Sequence, residues 1–249
     1  MIVVLKFRKN CDEKIKKEII NLLNELKIKH TENIQQEADL AIIIGGDGTF
    51  LFWQSQISCP ILGIKDRGVG HYMKASQNDF LKKIKTVLKG KEGKDYYIYK
   101  LLRITATLNK KILPPALNEY LVSSGLTREM FNCQLRVRGD EFLERNSGII
   151  VYTPTGSSAF AKSAGAEELK WDDKRMGIVA LAPYSGRLKE GEILLSKGGF
   201  YIKCLNKKGE ICIDGQKKYT YKIKYNDRIF IQKNNNYAKV IGFSPNFYS

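Results

Sequence analysis

Long hydrophobic runs are absent from the 249-residue sequence, and this absence excludes several classes of protein. No apolar stretch approaches the roughly 20 residues that a membrane-spanning helix needs. The opening segment Met1–Phe7 is apolar except for Lys6 and is followed at once by charged residues. It is too short for a signal peptide and has the composition of a first strand. We therefore expect a protein without membrane attachment.

Cysteine and histidine are scarce, and their spacing does not indicate a metal site. The five cysteines are an odd number, and no two of them form a C-x-x-C pair. This usage is typical of a reduced, intracellular protein, so we expect a cytoplasmic location. The two histidines are His30 and His71, and no Ser-His-Asp arrangement is recognisable. Covalent nucleophilic catalysis is therefore not expected, and His71 is interpreted as structural.

Positive charge is in excess, with 42 Lys and Arg against 26 Asp and Glu, a formal net charge of +16. A basic surface attracts anions, so nucleic acids, acidic membranes and polyphosphate substrates all fit the charge. A composition biased towards Lys, Asn and Ile would give the same excess. The sequence has no aromatic–basic signature of an RNA-binding module, and nucleic-acid binding is therefore not expected.

The first part of the chain alternates between strand-like and helix-like segments. Strand signals occur at Ile2–Phe7, Leu40–Ile44 and Pro60–Ile64, and helical signals at Asp12–Ile28, Thr49–Gln56 and Asn78–Leu88, where Asn78 is the predicted cap. This order predicts a parallel sheet with crossover helices. We assign residues 1–93 to an α/β domain.

Strands dominate after the polar stretch Lys89–Lys94, which we interpret as a link between domains. Residues 94–239 are therefore predicted to form a β-rich domain. The predicted strands are Tyr96–Leu108, Gln134–Val137, Gly148–Thr153, Ile178–Leu181, Phe200–Leu205, Glu210–Asp214, Tyr219–Tyr225 and Arg228–Gln232. Their alternation of apolar and charged residues favours antiparallel sheet with one solvated face.

A glycine-rich turn follows the second buried strand and reads Gly45-Gly46-Asp47-Gly48-Thr49. Glycine lacks a Cβ atom, so the backbone N–H groups of such a turn can approach a phosphate closely. The following helix N-terminus adds positive dipole character. A carboxylate at this place suits a general base towards a hydroxyl, or an anchor for Mg²⁺. A tight turn with a helix-capping Asp is the structural alternative.

Two further segments carry polar groups, and each of them alone fits either a binding site or an ordinary structural role. TPTGSSAF (153–160) follows a predicted strand and is an anion-tolerant turn, or an ordinary loop with Ser and Thr caps. The pair Asn118-Glu119 can read a base or a ribose edge, although such pairs are usually only surface.

Taken in order, these motifs resemble those of the NAD kinase family. The sequence has GGDGTF (45–50), NE (118–119), TPTGSSAFAKSAGA (153–166) and IDGQ (213–216), and the resemblance extends from Ile2 to about Gly242. It implies an NAD kinase fold, with an N-terminal α/β domain and a C-terminal β-sandwich-like domain. Residues 240–249 are then expected to pack back on the first domain.

The resemblance also implies an activity, which is transfer of a phosphoryl group from ATP or a related donor to the adenosine ribose 2′-hydroxyl of NAD. Asp47 would activate that hydroxyl, and phosphates would be held by Gly45, Gly46, Gly48 and Thr49. The implied NAD-binding residues are Asn118, Glu119, Ser147, Thr155, Ser158, Ala159, Phe160, Ser163 and Ala182. Mg²⁺ or another divalent cation would arrive with the donor phosphates, with Glu119 as a candidate ligand. A homodimer or homotetramer is expected.

Several positions depart from the family pattern. Ser147 stands where the family commonly has an Asp that helps to bind the nicotinamide side, and Phe160 replaces a Tyr. Arg67 stands where a Gly is usual. These changes affect the dinucleotide rim and spare the catalytic turn. The donor stays open among ATP, other nucleoside triphosphates and polyphosphate, and so does the choice between NAD and NADH.

Three alternatives compete with this interpretation. Lipid and sphingoid kinases also carry a G-G-D-G-T turn. A relative that has lost catalysis could bind NAD as a sensor, although the intact Asp47 argues against that loss. A basic nucleic-acid-binding protein would show affinity that falls steeply with salt.

Overall fold

The computed structural model describes residues 1–66, 70–126 and 128–248, and the chain divides into two compact units. Unit 1 consists of Met1–Leu101 and Ala238–Ser249, and unit 2 consists of Leu102–Tyr237. The sequence placed the boundary after residue 93. The strand Tyr97–Leu101 nevertheless belongs to unit 1, because it pairs antiparallel with Ala238–Gly242. Arg67 lies outside the described residues.

Elements are numbered in chain order. Unit 1 contains β1 (Ile2–Phe7), α1 (Glu13–Glu25), β2 (Lys29–Thr31), β3 (Leu40–Gly45), α2 (Asp47–Gln54), β4 (Ile61–Lys65), α3 (Phe80–Lys89) and β5 (Tyr97–Leu101). Unit 2 begins with β6 (Ile104–Leu108), β7 (Lys111–Ile112), β8 (Glu119–Ser123), β9 (Phe131–Val137), β10 (Asp140–Asn146) and β11 (Gly148–Tyr152). A 3₁₀ turn (Thr155–Ser158), α4 (Phe160–Ser163), β12 (Met176–Leu181), β13 (Leu194–Ser196), β14 (Phe200–Cys204), β15 (Gly209–Ile213), β16 (Gln216–Ile223) and β17 (Arg228–Lys233) follow, and β18 (Ala238–Gly242) returns to unit 1.

Unit 1 is built on one sheet with the strand order β2-β1-β3-β4-β18-β5. Neighbouring strands are parallel as far as β18, and only the edge strand β5 runs antiparallel. Every residue of β3 is buried, which is typical of a central parallel strand covered on both faces. Helix α1 buries Ile15, Ile19, Leu22 and Leu23, a spacing that forms one apolar stripe. The predicted α/β architecture is confirmed.

Two helix starts differ from the sequence expectation. Helix α2 begins at Asp47, because the Gly46 carbonyl already accepts hydrogen bonds from the N–H groups of Thr49 and Phe50. Helix α3 has Asp79 at its N-cap position, where Asn78 was predicted. The Asp79 carboxylate accepts a hydrogen bond from the Ser76 N–H at 2.7 Å. This bond stabilises the turn before α3, and the helix therefore starts one residue later than predicted.

Unit 2 contains two six-stranded antiparallel sheets, with the orders β10-β9-β14-β17-β6-β7 and β13-β12-β11-β8-β15-β16. Apolar side chains from both sheets form one buried core, as in a β-sandwich. The predicted β-sandwich-like domain is therefore confirmed. Strand β10 was not predicted, because four of its seven residues are charged and little of it is buried. It pairs with β9 along its whole length.

No helix in the described part of the chain is both long and apolar enough to cross a membrane.

Candidate active site

The glycine-rich turn lies at the carboxyl end of β3, where the strand passes into α2. An added Cβ on Gly45 would lie 2.7 Å from the Thr49 Oγ1, so only glycine allows this tight passage. Added Cβ atoms on Gly46 and Gly48 would meet nothing within 4 Å. The turn therefore leaves open space beside the N-terminus of α2, at the sheet edge where open α/β sheets bind ligands.

Asp47 is the first residue of α2, and its half-buried carboxylate is held by two consecutive backbone amides. Oδ2 accepts a hydrogen bond from the His71 N–H at 2.8 Å, and Oδ1 accepts one from the Tyr72 N–H at 3.0 Å. Both donors lie in the segment after β4. His71 thus contributes its backbone N–H to the site.

Aromatic packing supports the segment that holds Asp47. The Tyr72 ring stacks on Phe50 at 5.1 Å between centroids, and the His71 ring lies 5.2 Å from the ring of Phe247. The Lys74 ammonium lies 4.1 Å from the centroid of Phe247. Burial lowers the pKa of Lys74, whereas the negative charge of Asp47 raises it. Lys74 and Phe247 were not predicted from the sequence, because no local pattern connects residues so far apart along the chain.

In unit 2, Asn118 and Glu119 lie at the entry to β8, and their backbone is bound to Asp214. The N–H groups of Leu117, Asn118 and Glu119 donate to the Asp214 carboxylate at 2.9, 2.8 and 3.0 Å. Asp214 belongs to the IDGQ segment. No role was predicted from the sequence for a residue of that segment.

Glu119 is a buried carboxyl group with an altered proton affinity. Burial, together with the smaller effect of the nearby negative charge of Asp214, raises the pKa of Glu119 to about 8. Its Oε2 atom has no hydrogen-bond partner among the described residues. Burial therefore favours the neutral form of this carboxyl, and a cation that reached it would favour the ionised form.

The TPTG segment meets the Asn118-Glu119 pair directly. The Thr155 hydroxyl donates to the Leu117 carbonyl at 3.2 Å. An added Cβ on Gly156 would lie 2.1 Å from the carbonyl oxygen of Asn118, so these two backbones are in contact. Ser158 and Ala159 are half-buried, whereas Phe160 and Ser163 are exposed.

Ser147 and Ala182 lie elsewhere in the same sheet. Ser147 directly precedes β11 and donates its N–H to the Leu181 carbonyl at 2.8 Å, next to Ala182. Thr153 follows the other end of β11, so six residue steps of extended chain, about 20 Å, separate it from Ser147. The structure thus divides the predicted NAD-binding residues of unit 2 into two groups.

Both units resemble domains of known proteins. Residues 4–92 match the family model of the ATP-NAD kinase N-terminal domain, and residues 117–243 match that of the ATP-NAD kinase C-terminal domain. The chain belongs to the NAD kinase family. It is therefore a phosphotransferase, and its reaction is the phosphorylation of NAD to NADP. Because both domains match, a lipid kinase that shares only the first turn is not supported.

Curated relatives agree with this family assignment. The NAD kinase of Thermoplasma acidophilum is 30% identical over 267 residues, which cover 100% of this chain and 95% of the relative. The NAD kinase of Methanothermobacter thermautotrophicus is 31% identical over 220 residues, covering 85% of this chain and 74% of the relative.

Two solved structures share the fold. An NAD kinase from Archaeoglobus fulgidus, in complex with ATP, superposes with a TM-score of 0.75 at 24% identity, covering 98% of this chain and 94% of the other. A yeast NADH kinase in complex with NADH has a TM-score of 0.85 at 17% identity, covering 100% and 85%.

Proposed function

We propose that Asp47 is the base that activates the adenosine ribose 2′-hydroxyl of NAD for attack on the donor phosphate. The observation that carries this proposal is the position of its carboxylate, held by the His71 and Tyr72 amides beside the open turn. Each carboxylate oxygen has a second lone pair, so a substrate hydroxyl can still donate to it. A base in a fixed orientation within hydrogen-bond reach of the hydroxyl is what proton removal requires.

The same turn is proposed to hold the phosphates of the donor, through Gly45, Gly46, Gly48 and Thr49. Phosphoryl transfer depends mainly on positioning and on neutralising the charge of the transferred group. Backbone amides at a helix N-terminus supply both, and the open space at Gly46 and Gly48 lets a phosphate approach them. The related Archaeoglobus protein is described in complex with ATP, which supports ATP as the donor.

NAD is proposed to bind through the two groups of residues in unit 2. One contains Asn118, Glu119, Thr155, Ser158, Ala159, Phe160 and Ser163, and the other contains Ser147 and Ala182. The family resemblance assigns Asn118 and Glu119 to the adenosine and the donor–metal region, and Ser147 to the nicotinamide side. The related yeast protein is described in complex with NADH, which supports a dinucleotide site in this fold.

Mg²⁺ is proposed to enter with the donor. Among the described residues, no three His, Cys, Asp or Glu side chains lie close enough to hold a metal ion by themselves. Mg²⁺ is commonly bound by one or two carboxylates together with water and substrate phosphates. The buried carboxyl of Glu119, with an Oε2 atom that accepts nothing from the described residues, fits such a ligand. Bound Mg²⁺ would neutralise charge on the phosphates.

A self-associated, cytoplasmic enzyme is proposed on the family resemblance. Light scattering of the purified protein should give the mass of a dimer or a tetramer of the 28.4 kDa chain. A monomer at micromolar concentration would contradict this part of the proposal.

The test of the catalytic proposal is NADP formation from NAD, ATP and Mg²⁺ by the purified protein and by Asp47→Asn. We expect the variant to lose at least about 1,000-fold in kcat, in the range known for general bases, while calorimetry still detects NAD binding. Asp79→Asn is the matched control, because Asp79 also accepts a backbone amide in unit 1 and lies outside the proposed site. Full activity of Asp47→Asn would overturn the role of Asp47. If the wild type binds NAD but forms no NADP, the alternative of a catalytically inactive NAD-binding sensor is favoured.

A further inference from the structure

The short segment Leu117–Glu119 has every one of its backbone N–H groups bound by a single side chain. The two oxygens of Asp214 accept these hydrogen bonds at 2.8–3.0 Å, and the Asp214 N–H donates back to the Glu119 carbonyl at 3.0 Å. Hydrogen bonds to an ionised carboxylate are stronger than those between neutral groups. Asp214 therefore fixes the path of the chain through Asn118.

Thr153 binds the same segment through its carbonyl groups. Its hydroxyl donates to the Leu117 carbonyl, and its N–H donates to the Asn118 carbonyl at 2.9 Å. The side chain of Thr153 is fully buried, so these donors have no competition from bulk water. Asp214 holds the amide side of the segment, and Thr153 holds the carbonyl side.

The conformation of Asp214 suits this task. Its φ angle is +49°, in the left-handed region where Asp and Asn are the best tolerated residues after glycine. This conformation bends the IDGQ segment so that the carboxylate points at the three amides. The side chain is only 5% exposed, which makes the three donors necessary to balance its buried charge.

We propose that Asp214 and Thr153 are positioning residues of the NAD site, which hold the Leu117–Glu119 backbone so that Asn118 presents its side chain to the dinucleotide. This inference rests on the proposed role of Asn118 in binding NAD. Asn118 is half-buried, so its side chain is accessible while its backbone is held. Neither Asp214 nor Thr153 needs to touch NAD for this effect, because a shift of the backbone redirects the side chain that does.

The test compares NAD affinities measured by calorimetry on the full-length protein. Asp214→Asn keeps a residue that tolerates the left-handed conformation, but it places an NH₂ group against an N–H donor. We expect it to weaken NAD binding by about tenfold or more, as does Thr153→Val, which keeps the shape of the side chain and removes its hydroxyl. Asp227→Asn is the control, since Asp227 accepts the Lys224 N–H at 2.8 Å in another turn of unit 2. Its NAD affinity should be unchanged.

Double variants separate positioning from general loosening of the fold. If Asp214 and Thr153 act through Asn118, then Asp214→Asn combined with Asn118→Ala should bind NAD no more than about twofold more weakly than Asn118→Ala alone. Independent, multiplying losses would overturn the inference, as would unchanged affinity in both single variants. If Asp214→Asn does not fold, Thr153→Val is combined with Asn118→Ala instead, and its NAD affinity is compared with that of Asn118→Ala alone under the same twofold limit. If Asn118→Ala itself binds NAD normally, the proposed function of Asn118 fails, and the inference fails with it.

Discussion

Glycines of the GGDGT turn and of the TPTG segment lie in contrasting surroundings. In unit 1, Gly46 and Gly48 border open space, whereas in unit 2 an added Cβ on Gly156 would lie 2.1 Å from a backbone oxygen of Asn118. Gly46 and Gly48 leave space beside the first turn, whereas Gly156 lets two pieces of backbone touch. Similar composition in a sequence can therefore encode an open turn or a packing contact.

The two carboxylates beside these turns show the same contrast. Asp47 is held by two consecutive amides and stays half-buried, while Asp214 is held by three and is 5% exposed. Amide donors fix the orientation of a carboxylate in either case. Accessibility then decides whether it can accept a proton from a substrate or can act only on its own chain.

The largest effect in this comparison is expected from Gly156→Ala. The new methyl group would overlap backbone atoms of Asn118, which cannot move aside without displacing the pair Asn118-Glu119. We expect a loss of about 3 kcal/mol in the free energy of unfolding, typical of severe overpacking, and at least about 30-fold weaker NAD binding. Chemical denaturation and calorimetry measure the two quantities.

Gly198→Ala is the matched control in unit 2, because the nearest atom to its added Cβ would be 4.0 Å away. Equal behaviour of Gly156→Ala and Gly198→Ala would show that the contact with Asn118 does not matter.

A smaller effect is expected from Gly48→Ala, which should make the protein more stable but weaken its use of ATP. Gly48 is the exposed second residue of α2, and Ala is a better helix former than Gly, by up to about 1 kcal/mol in a helix interior. The thermal midpoint should therefore rise by a few degrees. The methyl group would also enter the open space beside the turn, so the KM for ATP should increase by about tenfold.

Gly45→Ala is the contrasting variant in the same turn. Its Cβ would lie 2.7 Å from the Thr49 Oγ1, so we expect it to lower the thermal midpoint, which Gly48→Ala should raise. An unchanged KM for ATP in Gly48→Ala would mean that donor phosphates do not occupy this space.

The sequence predicts most reliably what depends on neighbouring residues. The buried run of β3 and the turn after it were recognised, because a continuous apolar strand that ends in glycines has a strong local signature. The polar strand β10 was missed because its position in the sheet comes from pairing with β9 and not from its own hydropathy.

Long-range contacts within the candidate site could not be predicted in the same way. Asp214 is separated by 95–97 residues from the three amides it binds, and Lys74 by 173 residues from the Phe247 carbonyl. Nothing in residue spacing shows that the IDGQ carboxylate turns towards Asn118. The predicted strand Gly148–Thr153 already places Ser147 and Thr153 at opposite ends of β11, but only the fold shows that Thr153 binds the backbone of Leu117 and Asn118.

A pH-dependent effect is expected from Glu119, whose buried carboxyl in unit 2 contrasts with the half-buried carboxylate of Asp47. The pKa of Glu119 is raised from 4.5 to about 8 by burial and by Asp214, so the native state retains a proton that the unfolded chain has released. Its contribution to stability is fully present below pH 4.5 and is lost as the pH rises towards 8. In the absence of ligands, the free energy of unfolding of the wild type should therefore fall between pH 5 and pH 8 relative to Glu119→Gln, whose amide does not titrate. Urea denaturation at several pH values measures this difference, with the exposed Glu141→Gln as control. Parallel pH curves for the wild type and Glu119→Gln would show that the native carboxyl is already ionised at neutral pH, and that Asp214 does not hold a proton on its neighbour.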